Sequence, residues 1–399
     1  MPAGRWKTIP LAAGHAAMKS GAPKPKASPP RRPRPADPGR EEIHLSPREW
    51  DPENQAGKLL EVLPKSGSVL VTSHDNPDPD ALASCMALQH LIRARTSLKP
   101  RIAIGGILGR AENQALSLEL ELDLYPIDIL EYQRWDGIVM VDAQPGAGNS
   151  NLPRSMPIVA VIDHHPQRQP LDLPFVDIRP DYGASATIAV EYLRAQEVEW
   201  DTKLATALYY AIKSETQDLG RRVAEADRRA HFALFDSVDW ELMHRITKAK
   251  IPGDYFALFQ RGIASARLFG NALIADLGEI PTPDACAEIA DFLLRHEQVT
   301  RSLVLGRYED QIVFSIRFTR SDLDAGLIAS SLARDFGTGG GHDQMAGGRI
   351  ELARTRLDQV ESIKDVIVQR FVEMVGVAQY RPGLPLLSAD VSETGSASP

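Results

Sequence analysis

Only two cysteines, Cys85 and Cys286, occur in 399 residues. They stand far apart in apolar, helix-like surroundings, which excludes a disulfide framework and predicts two buried thiols. No run of about 18 apolar residues is present, so no membrane-spanning helix is expected. The chain does not open with a charged flank and an apolar core of signal-peptide type, so export is not expected and a cytoplasmic location is. Positive charge is also lacking over most of the length. Residues 1–40 carry nine Lys or Arg against the single Asp37, a net of +8, while the whole chain carries −8, which leaves −16 on the remainder. That acidic body lacks the broad basic field of a protein that binds long duplex tracts. No Ser-His-Asp or Cys-His arrangement suggests a protein nucleophile, no strand–GxGxxG–helix unit suggests a dinucleotide fold, and no internal repeat is visible.

What is present begins with a basic, Pro-rich segment, residues 1–50, whose run from Pro29 to Pro35 cannot pack a core and is expected to be an extended, disordered tail. After it, apolar runs alternate with amphipathic ones. Strands are expected at 68–72, 102–104, near Ile138, near Val159 and at 175–178, and helices at 56–63, 81–95, 184–195 and 202–214. Pro77 and Pro79 are expected to keep the intervening loop out of any helix. This alternation predicts an α/β fold with a mostly parallel sheet covered on both faces. Residues 223–262 look helical and polar and read as a linker. A second unit follows, with strands at 271–277, 300–306, 311–318 and near Arg349, helices at 283–295 and 325–335, and a Gly-rich loop at 337–348. Residues 378–399 are expected to be a disordered tail.

Three strand ends carry the chemistry. The run 69–73 leads to His74, Asp78 and Asp80. The run 138–141 ends in Asp142. The run 159–162 ends in Asp163, His164 and His165, and Pro166 stops it. Carboxylate with imidazole is ligation suited to Mn²⁺, Mg²⁺ or Co²⁺, and ligands bind at the carboxyl ends of strands in open parallel sheets. Each segment also has an ordinary reading, as a turn or a helix cap, and Asp80 suits the N-cap of a helix starting at Ala81. Three strand ends all bearing ligand-type residues favour one convergent site.

His74, Asp78 and Asp80, then Asp142, then Asp163-His164-His165 resemble the first three motifs of the DHH phosphoesterase family. Gly339, Gly340, Gly341 and His342, with Ala346, Gly347 and Gly348, resemble the signature of that family's associated C-terminal domain. The resemblance implies a parallel-sheet DHH domain at 51–222 and a smaller mixed α/β substrate-binding domain at 263–377, facing each other across a cleft. It implies that His74 and Asp78 hold one divalent cation, Asp80 and His164 the other, and that Asp142 bridges both. His165 would contact the scissile phosphate, and Asp163 would orient a neighbour. The family's fourth motif supplies an Asp within a Thr-Asp-Thr type sequence. This chain has Glu215 at the aligned position, one methylene longer, with Asp218 three residues on as a second choice for the metal.

On the substrate side, Gly339, Gly340 and Gly341 would let backbone N–H groups approach an anion, His342 would add a charge-assisted bond, and Arg317 would grip a phosphate or a base. The implied activity is two-metal phosphoester hydrolysis with water as nucleophile, with Mn²⁺ the expected ion. The expected substrates are short: oligoribonucleotides (nanoRNA), linear dinucleotides or 3′,5′-bisphosphorylated adenosine. Alternatives are a single-strand DNA exonuclease of RecJ type, or a nucleotide-binding sensor whose metal site has decayed at Glu215. Expected partners are short single-stranded oligonucleotides or phosphorylated nucleotides, with no membrane; a homodimer is left open.

Overall fold

A computed structural model describes residues 52–127, 135–153, 155–167, 169–320, 322–341, 344–352, 357–380 and 382–387. The basic Pro-rich segment, His342 and the last twelve residues lie outside them. All described elements fall within the compact unit Trp50–Pro399.

The first half contains α1 (Pro52–Val62), β1 (Val69–Thr72), α2 (Pro79–Arg95), β2 (Arg101–Ile104), α3 (Ala111–Glu119), β3 (Leu124–Pro126), β4 (Gly137–Val141), β5 (Ile158–Asp163), β6 (Phe175–Ile178), α4 (Ser185–Ala195), α5 (Thr202–Glu215), α6 (Glu225–Phe235) and α7 (Trp240–Thr247). Six strands form one sheet in the order β3-β2-β1-β4-β5-β6, with every pairing parallel. The order reverses between β1 and β4, so the chain leaves these two neighbours toward opposite edges and a crevice opens beyond their carboxyl ends.

Strand alternation sorts the apolar side chains. Val69, Val71, Val139, Val141, Ala160 and Ile162 face one way and pack with α1, α2, α4 and α5 into the main core. Leu70, Ala103, Ile138, Met140 and Val161 face the other way. Both faces are covered, as expected, but by different means. Among the described residues the second face is closed by loop side chains, such as Trp135, Leu152, Met156 and Leu171. The connections β4–β5 and β5–β6 carry no helix there to lay on it.

Two other differences bear on organisation. Pro79 does not keep the loop out of a helix. It opens α2, where a missing N–H costs nothing because first-turn amides have no intrahelical partner. The segment expected to be a linker contributes to the core: Ala230, Leu234, Val238, Leu242, Met243 and Ile246, from α6, α7 and the turn between them, are buried in the main cluster. Its polar look comes from the opposite helix faces.

The second half contains α8 (Gly253–Ser265), β7 (Arg267–Phe269), β8 (Ala272–Glu279), α9 (Asp284–Leu293), β9 (Arg301–Tyr308), β10 (Gln311–Phe318), α10 (Ala325–Ala333), β11 (Gly337–Gly341), β12 (Met345–Glu351), α11 (Leu357–Met374) and β13 (Leu384–Pro385). Its seven-stranded sheet has the order β11-β12-β10-β9-β8-β7-β13. It is mixed, because β8 and β9 run parallel through the α9 crossover while the other pairs are antiparallel. α10 and α11 cover one face, and α8 and α9 the other. The mixed α/β character matches the expectation. The tail does not: Leu384 and Pro385 pair with Leu268 and Arg267, so order extends past residue 378. Cys85 and Cys286 are both buried free thiols, as expected.

Candidate metal centre

The three strand ends meet at the reversal point. β1 delivers His74, its neighbour β4 delivers Asp142, and β5 delivers Asp163, His164 and His165. Asp78 is the N-cap of α2, its Oδ1 accepting the Ala81 amide at 3.0 Å. Asp80, for which an N-cap was the ordinary alternative to a metal ligand, lies instead in the first turn of α2 and is buried. Its carboxylate accepts the Ser185 and Ala186 amides at 2.7 and 2.8 Å. Those are first-turn donors of α4, which lack intrahelical partners and favour negative charge. Asp142 has a φ of +57°, a backbone state that non-glycine residues adopt rarely and that concentrates at functional sites.

The polar atoms face one another in an unusual way. The Nδ1 of His74 lies 2.9 Å from the Asp75 carbonyl oxygen, and the Nδ1 of His164 lies 3.3 Å from that of Tyr182. A carbonyl only accepts, so each Nδ1 carries the proton and each Nε2 is the remaining ring nitrogen. His74 Nε2 is 3.5 Å from Asp142 Oδ2, and His164 Nε2 is 3.5 Å from Asp142 Oδ1 and 3.8 Å from Asp80 Oδ2. Potential ligand atoms of His74, Asp78 and Asp142 lie within 4.8 Å of one another, and so do those of Asp142, His164 and His165. Asp142 is common to both groups.

The electrostatics follow from carboxylates crowded together with little solvent around them. Burial, with the charges of Asp142, Asp78 and Glu215, pushes Asp80 well above the ordinary carboxylate range. Burial works against a charged His74, but its bond to Asp142 and the charges of Asp78 and Asp142 override it and push the imidazole up to about 10. Burial likewise opposes charge on Asp142, yet the surrounding imidazoles hold its carboxyl well below the usual range. Asp78, Asp80, Asp142 and Glu215 thus act on one another's charge beside the imidazoles of His74 and His164, a carboxylate–imidazole set that fits hard or borderline divalent cations.

Asp163 has a separate task. Its Oδ1 accepts from the His165 amide at 3.0 Å and from His165 Nδ1 at 2.8 Å, and its Oδ2 accepts from Gln144 Nε2 at 2.8 Å. Gln144 also donates to the His165 carbonyl at 3.1 Å. Because Nδ1 of His165 is committed to Asp163, its proximity to Asp142 does not make it a metal ligand, and Nε2 is the ring atom turned away from Asp163. Burial opposes charge here too, but the bond to Asp163 and the charges of Asp163, Asp142 and Glu215 push His165 up to about 9. Sequence reasoning missed Gln144, and also Ser185, whose hydroxyl donates to Asp142 at 3.0 Å. Gln144 follows Asp142 by two residues and was open to notice; nothing local marked Ser185.

Glu215 ends α5 and feels the charges of Asp78, His164, Asp142 and His165, while burial and the Asp78 charge raise its carboxyl. Asp218 is exposed and pairs with Lys213 at 2.5 Å, so Glu215 is the carboxylate this segment offers to the pocket.

The substrate-side residues are placed differently from expectation. Gly339, Gly340 and Gly341 belong to strand β11, paired with Gly348, Gly347 and Ala346. Their lack of Cβ serves packing: a Cβ on Gly339 would stand 2.3 Å from the Ala329 carbonyl oxygen of α10. Arg317 is only 9% exposed and sits on interior strand β10. Its Nε donates to Asp291 at 2.7 Å, and its Nη1 to Ser315 Oγ and the Ile316 carbonyl at 2.7 and 3.0 Å. His342 lies outside the described residues. The start of α9 does reach the metal-centre half, since a Cβ on Gly109 would fall 2.1 Å from Asp284 Oδ2. Arg110 lies 3.7 Å from Asp291.

A parallel sheet with a shared aspartate at its reversal point, joined to a mixed-sheet half bearing a Gly-rich edge, defines a class, and the family comparison supplies its name. Residues 68–212 match the model of the DHH family, N-terminal domain, and residues 269–373 that of the DHHA1 domain. The chain belongs to the DHH family of phosphoesterases. Among curated relatives it is 30% identical over 321 residues to an uncharacterized protein of Methanocaldococcus jannaschii, across 79% of this chain and 66% of that one. It is 26% identical over 166 residues to the bifunctional oligoribonuclease and PAP phosphatase NrnA of Bacillus subtilis, across 40% of this chain and 49% of the relative. The chain thus spans just under two thirds of the first relative's length and about half of the second's. In fold it is similar to an exopolyphosphatase-related protein from Bacteroides fragilis, with a TM-score of 0.63 at 16% identity over 80% of this chain and 97% of that one. No helix among the described residues is long and apolar enough to cross a membrane.

Proposed function

We propose that this protein hydrolyses short phosphoesters with two divalent cations, Mn²⁺ being the ion the donor set suits, and water as nucleophile. The substrates in this reading are oligoribonucleotides of a few units, linear dinucleotides or 3′,5′-bisphosphorylated adenosine. The observation that carries it is Asp142, whose two carboxylate oxygens lie 3.5 Å from His74 Nε2 and from His164 Nε2. The first site would use His74, Asp78 and Asp142. The second would use Asp142, His164, Asp80 and Glu215. Cations held there supply an acidified water and neutralise phosphoryl oxygens.

The remaining work belongs to the chain's own groups. Asp163 fixes the ring of His165 through Nδ1, and when that ring is protonated its Nε2–H can donate to a phosphoryl oxygen as negative charge grows there. Gln144 holds Asp163 in turn. Asp80 anchors α2 to the N-terminus of α4, which keeps its carboxylate in place before a cation arrives. The Gly-rich edge of the second half and His342 would receive the rest of the substrate. NrnA is named for oligoribonuclease and PAP phosphatase activities, and that relationship favours short substrates here.

The test is a Mn²⁺-dependent hydrolysis panel of short RNA, short DNA, bisphosphorylated adenosine and linear dinucleotides. Turnover of the short ribonucleotide or nucleotide substrates is expected. Preference for long single-stranded DNA would favour an exonuclease instead, and ligand binding without any hydrolysis a sensor. Asp142→Ala should lose more activity than the ~10–100-fold typical of an outer-shell change, with its circular dichroism unchanged; wild-type turnover in that variant would refute the mechanism.

A further inference from the structure

Beneath the second site lies a buried charged network that reaches it through the Tyr182 carbonyl. Arg179 is 1% exposed and follows β6. Its Nε and Nη2 grip Asp177 at 2.9 and 2.6 Å, and its Nη1 donates to Glu191 at 2.5 Å and to Tyr182 Oη at 3.3 Å. Tyr182 Oη donates to Glu191 at 3.1 Å, and Tyr192 Oη donates to Asp177 at 2.5 Å. The guanidinium also lies over the Tyr182 ring, 5.1 Å from its centroid.

This is a costly device if stability is its only purpose. Charges lose their hydration on burial, and apolar side chains of similar volume hold a core as well or better. What apolar packing cannot do is fix the direction of one carbonyl. The backbone shows where that direction matters. Arg179 N–H donates to the Asp163 carbonyl at 2.8 Å, and Tyr182 N–H donates back to the Arg179 carbonyl at 3.0 Å. The Tyr182 carbonyl then accepts from His164 Nδ1. Residues 179–182 therefore straddle the Asp163–His164 pair, with the side chains at both ends of the turn locked in the network.

We propose that Arg179 is a positioning residue for the second cation site. Acting through Tyr182, it holds His164 as the Nδ1–H tautomer and aims Nε2 at Asp80 and Asp142. The ring orientation and tautomer of a metal-ligating histidine are set by the partner of its other nitrogen. The first site has an independent anchor, because His74 Nδ1 bonds the Asp75 carbonyl on the far side of the pocket. This proposal rests on reading the centre as a two-cation site.

The experiment is Mn²⁺ titration of the full chain by calorimetry, with electron paramagnetic resonance to tell a spin-coupled pair from an isolated ion. Wild type should bind two ions with a coupled spectrum. Arg179→Met should keep the first ion at wild-type affinity and bind the second ~10–100-fold more weakly, so that the isolated-ion spectrum dominates at limiting Mn²⁺. Arg179→Lys, which restores the charge without the fork, should fall between. Tyr182→Phe leaves the ion pair packed and removes only the hydroxyl bonds; it should weaken the second ion alone, by a smaller factor, and it answers the question if Arg179→Met does not fold. Two coupled ions at wild-type affinity in Arg179→Met and Tyr182→Phe, or equal weakening of both ions, would overturn the proposal. A wild-type chain that binds no Mn²⁺ pair overturns the two-cation reading itself, and the wild-type arm alone reveals that.

Discussion

At the scale of the residue, the centre makes a prediction about protons. Without metal, His74 is pushed up to about 10 and His165 to about 9, against an ordinary histidine value of 6.5. A group whose folded pKa is raised contributes stability that is complete below its unfolded pKa and is lost as pH climbs through the folded one. The thermal midpoint of EDTA-treated protein should therefore fall between about pH 6.5 and 10, and Asp163→Asn should remove the His165 share of that fall. With Mn²⁺ the trend should reverse, because the cation must displace the His74 proton and binds more tightly as that proton becomes easier to lose. A metal-free midpoint independent of pH over this window would contradict the charge pattern. Glu215 carries a second expectation. It stands where the family pattern has Asp, and it feels Asp78 and His164. Glu215→Asp should retain turnover, whereas Glu215→Ala should weaken Mn²⁺ binding; equal loss in both would mean this position does not serve as ligand.

At the scale of the element, glycine decides how α10 meets the sheet edge. Close approach of α10 to β11 leaves no room for side chains on Gly326, which faces the Gly341 carbonyl oxygen, or on Gly339, which faces that of Ala329. Gly339→Ala should cost about 1–3 kcal/mol, as overpacking does, read as a lower urea midpoint. Mn²⁺ affinity of the first half should be unaffected. The same place shows where sequence reading stops. A run of glycines supplies no hydrophobic alternation, so β11 read as a loop; only the pairing with β12 reveals the strand. β10, expected at 311–318, was legible because Ile312, Phe314, Ile316 and Phe318 place a large apolar side chain at every second residue. The candidate ligands His74, Asp142 and His164 were legible for a related reason: each follows an apolar strand, where a carboxylate or imidazole stands out. Asp78 rather than Asp80 caps α2 because both suit an N-cap, and only the position of α4 shows that Asp80 accepts another helix's amides. Gln144 and Ser185 are neutral side chains whose task depends on a neighbour remote in sequence, and no local pattern encodes that.

At the scale of the molecule, the proposed substrate would enter between two halves joined by a loose ion pair. Arg110, from the loop before α3, lies 3.7 Å from Asp291 of α9, with the side chains 36% and 40% exposed. Asp291 is held more firmly within its own half by Arg317, at 2.7 Å. A half-exposed pair at that distance is worth about 0–1 kcal/mol, enough to bias an open–closed balance without locking it. Removing the charge on the Arg110 side keeps the Asp291–Arg317 pair and so spares the second core. Arg110→Ala should then leave the urea midpoint within about 1 kcal/mol of wild type. If closure brings the Gly-rich edge onto substrate, a smaller closed fraction lowers apparent affinity in proportion, so KM should rise while kcat stays near wild type. Small-angle scattering should report a larger mean radius for the substrate-free variant. A variant with unchanged KM and unchanged radius would show that the pair has no part in holding the halves together, and a loss confined to kcat would place Arg110 in the chemistry instead.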